Sequence, residues 1–175
     1  MNNNYRYSIA LIDDDRIFLA SLKNSLLHQF KSTIDIFEYN SGEDFILNVG
    51  KKPDIVILDY YLNDDEHPEA MNGMKVLHEL KSFARDSIVI MLSGQDNVEV
   101  VTNCLRNGAY EYIYKNESAF VRIPNSIKNA IANIRAKREN GKYIRLKINK
   151  NIIIGLLILL DIAGYFIFHF LSKGV

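Results

Sequence analysis

The stretch PDIVILD, residues 53–59, decides the fold. Four apolar residues, Ile55 to Leu58, follow a proline and end on Asp59. A run this short, apolar at every position and without alternation, reads as a strand buried on both faces. Strands of that kind belong to parallel sheets sandwiched between helices, so the flanking sequence should alternate strand with helix.

It does. Upstream, Ile9 to Ile12 is a second short apolar run, followed from Asp15 to Phe30 by a helical period with Phe18, Leu19, Leu22, Leu26 and Leu27 on one stripe. Ile34 to Tyr39 then reads as a strand and Ser41-Gly42-Glu43 as a helix start. Downstream, a helix is predicted near Gly73 to Phe83, a strand at Ile88 to Leu92, a helix from Asn97 to Asn107 closed by Gly108, a strand at Tyr110 to Tyr114, and a last helix opened by Pro124 and running to about Glu139. Five strand–helix pairs predict an α/β protein with a doubly wound, five-stranded parallel sheet. Two connections are long: Tyr60 to Asn72, which holds Asp64, Asp65, Glu66, His67 and Glu69, and Asn116 to Ile123.

In such sheets, ligands bind outside the carboxyl ends of the strands. This chain places Asp13 and Asp14 after the first strand, Asp59 after the third, Ser93 after the fourth and Lys115 after the fifth. Carboxylates gathered at a buried edge are costly unless a cation neutralises them, so the expectation is a hard divalent metal, Mg²⁺, with room for phosphoryl oxygens. A hydroxyl can donate to an anion there, and a lysine can neutralise it. Singly, each residue has a plainer reading as a helix cap, a turn or a solvated charge. Five of them at the matching edges of four strands define a site.

Four motifs in this order, ALIDDD (10–15), PDIVILD (53–59), IVIMLSG (88–94) and GAYEYIYK (108–115), resemble the receiver domain of bacterial two-component response regulators over about Tyr7 to Glu139. The resemblance implies a flavodoxin-like sheet of order 2-1-3-4-5, with Asp59 as phosphoacceptor. Asp13, Asp14 and Asp59 would hold Mg²⁺ together with the backbone carbonyl of Tyr61. Ser93 would hydrogen-bond the acyl phosphate, Lys115 would pair with it, and Tyr112 would turn inward as Ser93 is drawn to the phosphate. A histidine kinase or phosphotransfer protein would donate the phosphoryl group, and an unknown downstream protein would read it. On this reading the chain is no enzyme beyond catalysing its own phosphorylation from small donors and its own dephosphorylation. It departs from the family's pattern in having Leu62-Asn63 at the usual hydrophobe–proline step, a longer loop ending at Asn72-Gly73, and Asn116 where a proline usually follows the lysine.

Two other functions can be weighed. Asp13-Asp14-Asp15 resembles the start of a haloacid-dehalogenase-type phosphatase, but that family needs an acidic pair after the lysine and would leave Asp59 without a role; only Glu117, Glu139 and Asp161 follow Lys115. A receiver-fold module that docks a partner without phosphate is the other alternative.

The formal net charge of zero hides two blocks of opposite sign. Residues 1–123 carry 12 Lys and Arg against 19 Asp and Glu, whereas 124–150 carry 8 against 1. The basic block leads into Ile152–Leu171, a run long enough to cross a bilayer core of roughly 30 Å. Asp161 near its middle would cost about 2.5–3.5 kcal/mol, and fourteen Ile, Leu and Phe return about 4–8 kcal/mol. The sequence therefore predicts a receiver domain over 1–140, a basic juxtamembrane linker over 141–150, a transmembrane helix over 151–171 and a short tail over 172–175. The preceding cations place the domain on the cytoplasmic side of the bacterial inner membrane, with the linker against anionic lipid and no space for nucleic-acid binding. MNNNYRYS lacks the apolar stretch of a signal peptide. Asp161, sharing a face with Gly164 and Phe168, suggests self-association through the transmembrane helix. The single cysteine, Cys104, cannot form an intrachain disulfide and reads as a buried small hydrophobe.

Overall fold

A computed structural model describes residues 5–62, 70–95 and 97–172, with the backbone alone at 147, 149–151 and 153–172. The acidic loop residues Asp64 to Glu69 and the side chains of Asp161, Gly164 and Phe168 lie outside the described residues. Five strands, β1 (Tyr7–Ile12), β2 (Ile34–Tyr39), β3 (Ile55–Asp59), β4 (Ile88–Ser93) and β5 (Glu111–Tyr114), form one sheet of order β2-β1-β3-β4-β5. Every pairing is parallel. The chain reverses its winding direction between β1 and β3, which is where a doubly wound sheet opens a crevice.

β3 is buried along its whole length, as its unbroken apolar run requires. Alternate residues of the strands face opposite layers. On one side Ala10, Ile12, Val56, Leu58, Val89 and Met91 join Phe45, Val76, Leu77, Leu80 and Cys104 in a single cluster. Those helical residues come from α2 (Gly42–Asn48), α3 (Gly73–Phe83) and α4 (Val98–Arg106). The strand residues of opposite parity, Ile9, Leu11, Ile55 and Ile57, are equally buried, and α1 (Arg16–Phe30) sinks Leu19, Leu22 and Leu26. Burying one such side chain contributes roughly 1.5–3 kcal/mol.

Each of the first four helices starts on a side-chain cap just past the sheet's carboxyl edge. Asp15 accepts from the N–H groups of Ile17 and Phe18, Ser41 from Asp44, Asn72 from Lys75, and Asn97 from Glu99 and Val100. A cap of this type contributes about 1 kcal/mol. Gly108 follows α4 with φ of 95°, a left-handed turn that lets the chain re-enter the sheet as β5.

The last helix corrects the sequence reading at both ends. α5 spans Ala119–Ser172, starting five residues before Pro124. Its start is set by Asn116, whose Oδ1 accepts from the Ser118 amide at 3.0 Å and hydroxyl at 2.6 Å, and by the Ser118 carbonyl, which accepts from Val121 and Arg122. Pro124 lies inside the helix, where its missing N–H removes one helical hydrogen bond without ending the run. The expected extended link from Asn116 to Ile123 is therefore mostly helix. The helix also continues past Glu139, so residues 141–150 are helical. By contacts the chain divides into two compact units, 1–131 and 132–175. No helix among the described residues is long and apolar enough to cross a membrane. Most side chains of the expected span, 151–171, fall outside that description.

Candidate functional site

The carboxyl edge of the sheet gathers what the sequence placed there. β1 ends into Asp13 and Asp14, β3 ends on Asp59, β4 on Ser93, and Lys115 follows β5. Ligand oxygens of Asp13, Asp14 and Asp59 lie within 4.8 Å of one another. Asp13 and Asp59 are buried and Asp14 is exposed, so the cluster opens to solvent on one side. Asp13 Oδ1 also accepts from the Asp15 amide at 3.0 Å, which fixes the turn into α1.

Lys115 reaches across two strands to this cluster. Its ammonium donates to Asp13 Oδ1 at 2.9 Å and to Asp59 Oδ2 at 3.1 Å. The Lys115 amide donates to the Ser93 carbonyl at 2.7 Å, so the strand pairing itself aims the side chain. No cis peptide occurs among the described residues, the Lys115–Asn116 bond included.

The charge is not balanced. Burial drives the Asp59 carboxyl up to about 6, with the neighbouring Asp13 adding to the rise and Lys115 only partly opposing it. Burial likewise raises Asp13 despite its bond to Lys115. Burial pulls the Lys115 ammonium down, yet the hydrogen bond to Asp13 and the charges of Asp59 and Asp13 outweigh it, leaving the group above its ordinary value. One ammonium satisfies the lysine but not three carboxylates.

The unmet demand is visible atom by atom. Asp59 Oδ1 and Asp13 Oδ2 are buried without a hydrogen-bond partner. Asp13 Oδ2 does lie 2.8 Å from Lys115 Nζ, close enough for charge attraction though out of line for a hydrogen bond. Orphaned carboxylate oxygens of this kind are costly, and a divalent cation taking oxygen ligands removes the cost. The residues present fit Mg²⁺.

Ser93 is fully buried, and its hydroxyl accepts from the Gln95 amide at 3.2 Å. Gln95 itself carries no signal in the sequence, yet it joins three of the expected residues. Its carbonyl accepts from the Tyr112 hydroxyl at 2.8 Å and its Oε1 from the Tyr61 hydroxyl at 2.8 Å. Tyr112 is half-buried against the core cluster.

Gly73 is the second residue that sequence reading undervalued. A Cβ built there would lie 2.2 Å from the carbonyl oxygen of Asp59 and 2.8 Å from Tyr60 Cα. The Gly73 amide donates to the Tyr60 carbonyl at 2.9 Å. The start of α3 is thus packed on the backbone of Asp59, and only glycine permits that approach.

A doubly wound sheet with an acid cluster, a buried hydroxyl and a lysine at its carboxyl edge is the architecture of a receiver domain, and the response regulator receiver domain model matches residues 9–127. The chain belongs to that family. It is 25% identical over 152 residues to the transcriptional regulatory protein DegU of Brevibacillus brevis, covering 86% of this chain and 58% of that one. It is 28% identical over 109 residues to a probable C4-dicarboxylate response regulator of Bacillus subtilis, covering 62% of this chain and 46% of that one. The chain thus spans about half the length of these curated relatives. Among solved structures, the signal receiver domain of a LuxO repressor protein from Vibrio parahaemolyticus superposes with a TM-score of 0.63 at 25% identity, over 77% of this chain and 95% of that one. A CheY-like receiver domain protein from Methanospirillum hungatei shares the fold with a TM-score of 0.65 at 20% identity, over 75% of this chain and 98% of that one.

Proposed function

We propose that Asp59 accepts a phosphoryl group from a histidine kinase or phosphotransfer protein, and that the resulting acyl phosphate is a signal read by another protein. One observation carries this reading. Asp59 Oδ1 is buried at the sheet edge with no donor, while Oδ2 is held by Lys115. An oxygen so placed has no hydrogen bond to give up when the metal and the phosphoryl group arrive. In the transfer, the Asp59 oxygen attacks phosphorus as the phosphorus–nitrogen bond of the donor phosphohistidine breaks, and the imidazole leaves with the electron pair and takes up a proton. Such a step needs positioning and charge neutralisation more than acid–base chemistry.

Asp13, Asp14, Asp59 and the Tyr61 carbonyl would hold Mg²⁺, which supplies positive charge to the phosphoryl oxygens when bound. Lys115 pairs with the phosphoryl group on the other side. The Ser93 hydroxyl, which accepts from the Gln95 amide, keeps its own proton to donate to the phosphoryl oxygen and would exchange its present position for one nearer that oxygen. Because Gln95 also holds Tyr112, that exchange reaches the surface formed by α4, β5 and α5, where Val98, Leu105, Tyr110, Tyr114 and Val121 are exposed. This is the face on which a downstream protein would dock.

The test is incorporation of phosphate from acetyl phosphate in Mg²⁺. Stoichiometric labelling that disappears in Asp59→Asn is the expected result. No incorporation, or incorporation undiminished in that variant, would overturn the reading and leave a phosphate-independent docking module.

The proposal extends to location. Residues 1–140 would form the receiver domain, with 141–150 as a basic segment and 151–171 as an inner-membrane anchor ending in the tail 172–175. The apolar run and its flanking cations support this. Expressed with its C-terminus intact, the chain should resist extraction by high salt and alkali and bind anionic vesicles more tightly than neutral ones. Release into the soluble fraction would dispose of the anchor. Self-association through Asp161 would show as crosslinked dimers lost in Asp161→Leu.

A further inference from the structure

Lys115 has a contact that the acid cluster does not account for. Its ammonium sits over the ring of Phe18, 4.7 Å from the ring centre. Phe18 in turn lies against Phe120, with ring centres 5.5 Å apart and planes tilted by 59°. The two rings arrive from different directions. Phe18 is in the first turn of α1, its amide bonded to the Asp15 cap, and Phe120 is in the first turn of α5, just past the Asn116 cap. The caps that start these two helices therefore bring one ring beneath the cation and a second ring against the first.

This arrangement matters because a lysine is a poor fixed charge. Its four-carbon stem carries about 2 kcal/mol of rotamer entropy, and its ammonium draws water. The Lys115 side chain is only 17% exposed, with carboxylates on one side and the Phe18 ring on another. An aromatic face attracts the ammonium through its quadrupole, and the attraction strengthens as water is excluded.

We propose that Phe18, braced by Phe120, is a positioning residue for Lys115, holding the ammonium between Asp13 and Asp59 so that it is already in place when a phosphoryl group reaches Asp59. The inference rests on Asp59 being the phosphoacceptor, and its test separates the two.

The full-length chain is used, with the rate of phosphorylation by acetyl phosphate in Mg²⁺ and the NMR shift of the Lys115 ε-methylene protons as readouts. In the wild-type chain those protons should be displaced upfield by the ring. Phe18→Leu should abolish that displacement and slow phosphorylation about three- to tenfold, the range expected for loss of one partly desolvated cation–aromatic contact. Phe18→Tyr, which keeps the ring, should retain both. In a Lys115→Met background, Phe18→Leu should produce no further slowing. A wild-type rate in Phe18→Leu, or an equal drop with and without Lys115, would overturn the inference while leaving Asp59 as phosphoacceptor. If the wild-type chain takes no phosphate, the phosphoacceptor reading fails and the proton shift alone decides the contact. Should Phe18→Leu impair folding, Phe120→Leu, one layer removed, is expected to loosen Lys115 with a smaller fall in rate, and an unchanged shift there would count against the brace.

Discussion

Strand β3 is bracketed by two aspartates, and they live under opposite conditions. Asp54, just before the strand, accepts from the Tyr5 hydroxyl at 2.9 and 3.1 Å and from the Ser8 amide at 3.0 Å and hydroxyl at 3.2 Å. Nearby, the Ser87 hydroxyl closes onto the Pro53 carbonyl at 2.6 Å. Asp59, five residues on, has one ammonium on one oxygen and nothing on the other. Neutral donors saturate the carboxylate at the amino end and tie strands together. At the carboxyl end the carboxylate is left in debt to a ligand. A protein that satisfies one acid so fully and its neighbour so poorly shows which end it uses for structure and which for chemistry.

Substitution should expose this difference, most strongly at Asp59. The folded chain holds the Asp59 proton to about pH 6, whereas an unfolded chain releases it near 3.8. Between those values the folded state binds more protons, so stability is fully present below 3.8 and falls as pH rises through 6, by about 3 kcal/mol without metal. Asp59→Asn should remove that decline and raise metal-free stability at pH 7.5 by up to this amount, read from urea unfolding across pH. Mg²⁺ should restore stability to the wild-type chain and do little for the variant. A metal-free Asp59→Asn chain less stable than wild type at pH 7.5 would contradict the account.

Next in size is Gly73→Ala. Its new methyl would meet the Asp59 carbonyl, and α3 or β3 must shift to admit it. A loss of roughly 1–3 kcal/mol is expected, accompanied by slower phosphorylation because the displaced backbone is that of the proposed phosphoacceptor. Asp54→Asn should cost about 1–2 kcal/mol by turning an acceptor into a partial donor facing the Ser8 amide, with phosphate incorporation unchanged. If Asp54→Asn altered the chemistry as much as the stability, the division of labour between the two ends would be wrong. The smallest effect, about 1 kcal/mol, is expected for Asn116→Ala, which removes the cap before α5 and should lower the thermal midpoint by a few degrees.

Much of this molecule was legible because its signals are local. Short, β-branched apolar runs such as Ile55 to Leu58, set off by Pro53, read as strands buried on both faces, and polar residues at their ends fall on the ligand-binding edge. Asp13, Asp14, Asp59, Ser93 and Lys115 were all found that way. What escaped depends on contacts between distant segments. Gln95 binds through its backbone as well as its side chain, so residue type carries little trace of it. Gly73 looked like an ordinary helix start, since nothing in the sequence records that a strand backbone lies against it. The start of α5 was misplaced because proline is a strong first-turn signal, while the Asn116–Ser118 cap that sets it is a weaker one.

The contact between Gly73 and Asp59 has a consequence for the loop that joins them. Tyr60 and Gly73 are bonded directly, so the twelve intervening residues leave from and return to one fixed point. Loop closure grows only slowly more costly with length, so the part of the segment between Leu62 and Met71 can be lengthened, shortened or exchanged while the landing place stays the same. With Tyr61 beside the acid cluster and the Asn72 cap of α3 kept, specificity for a partner can change by grafting at this position, as a tool head is changed on a standard shank.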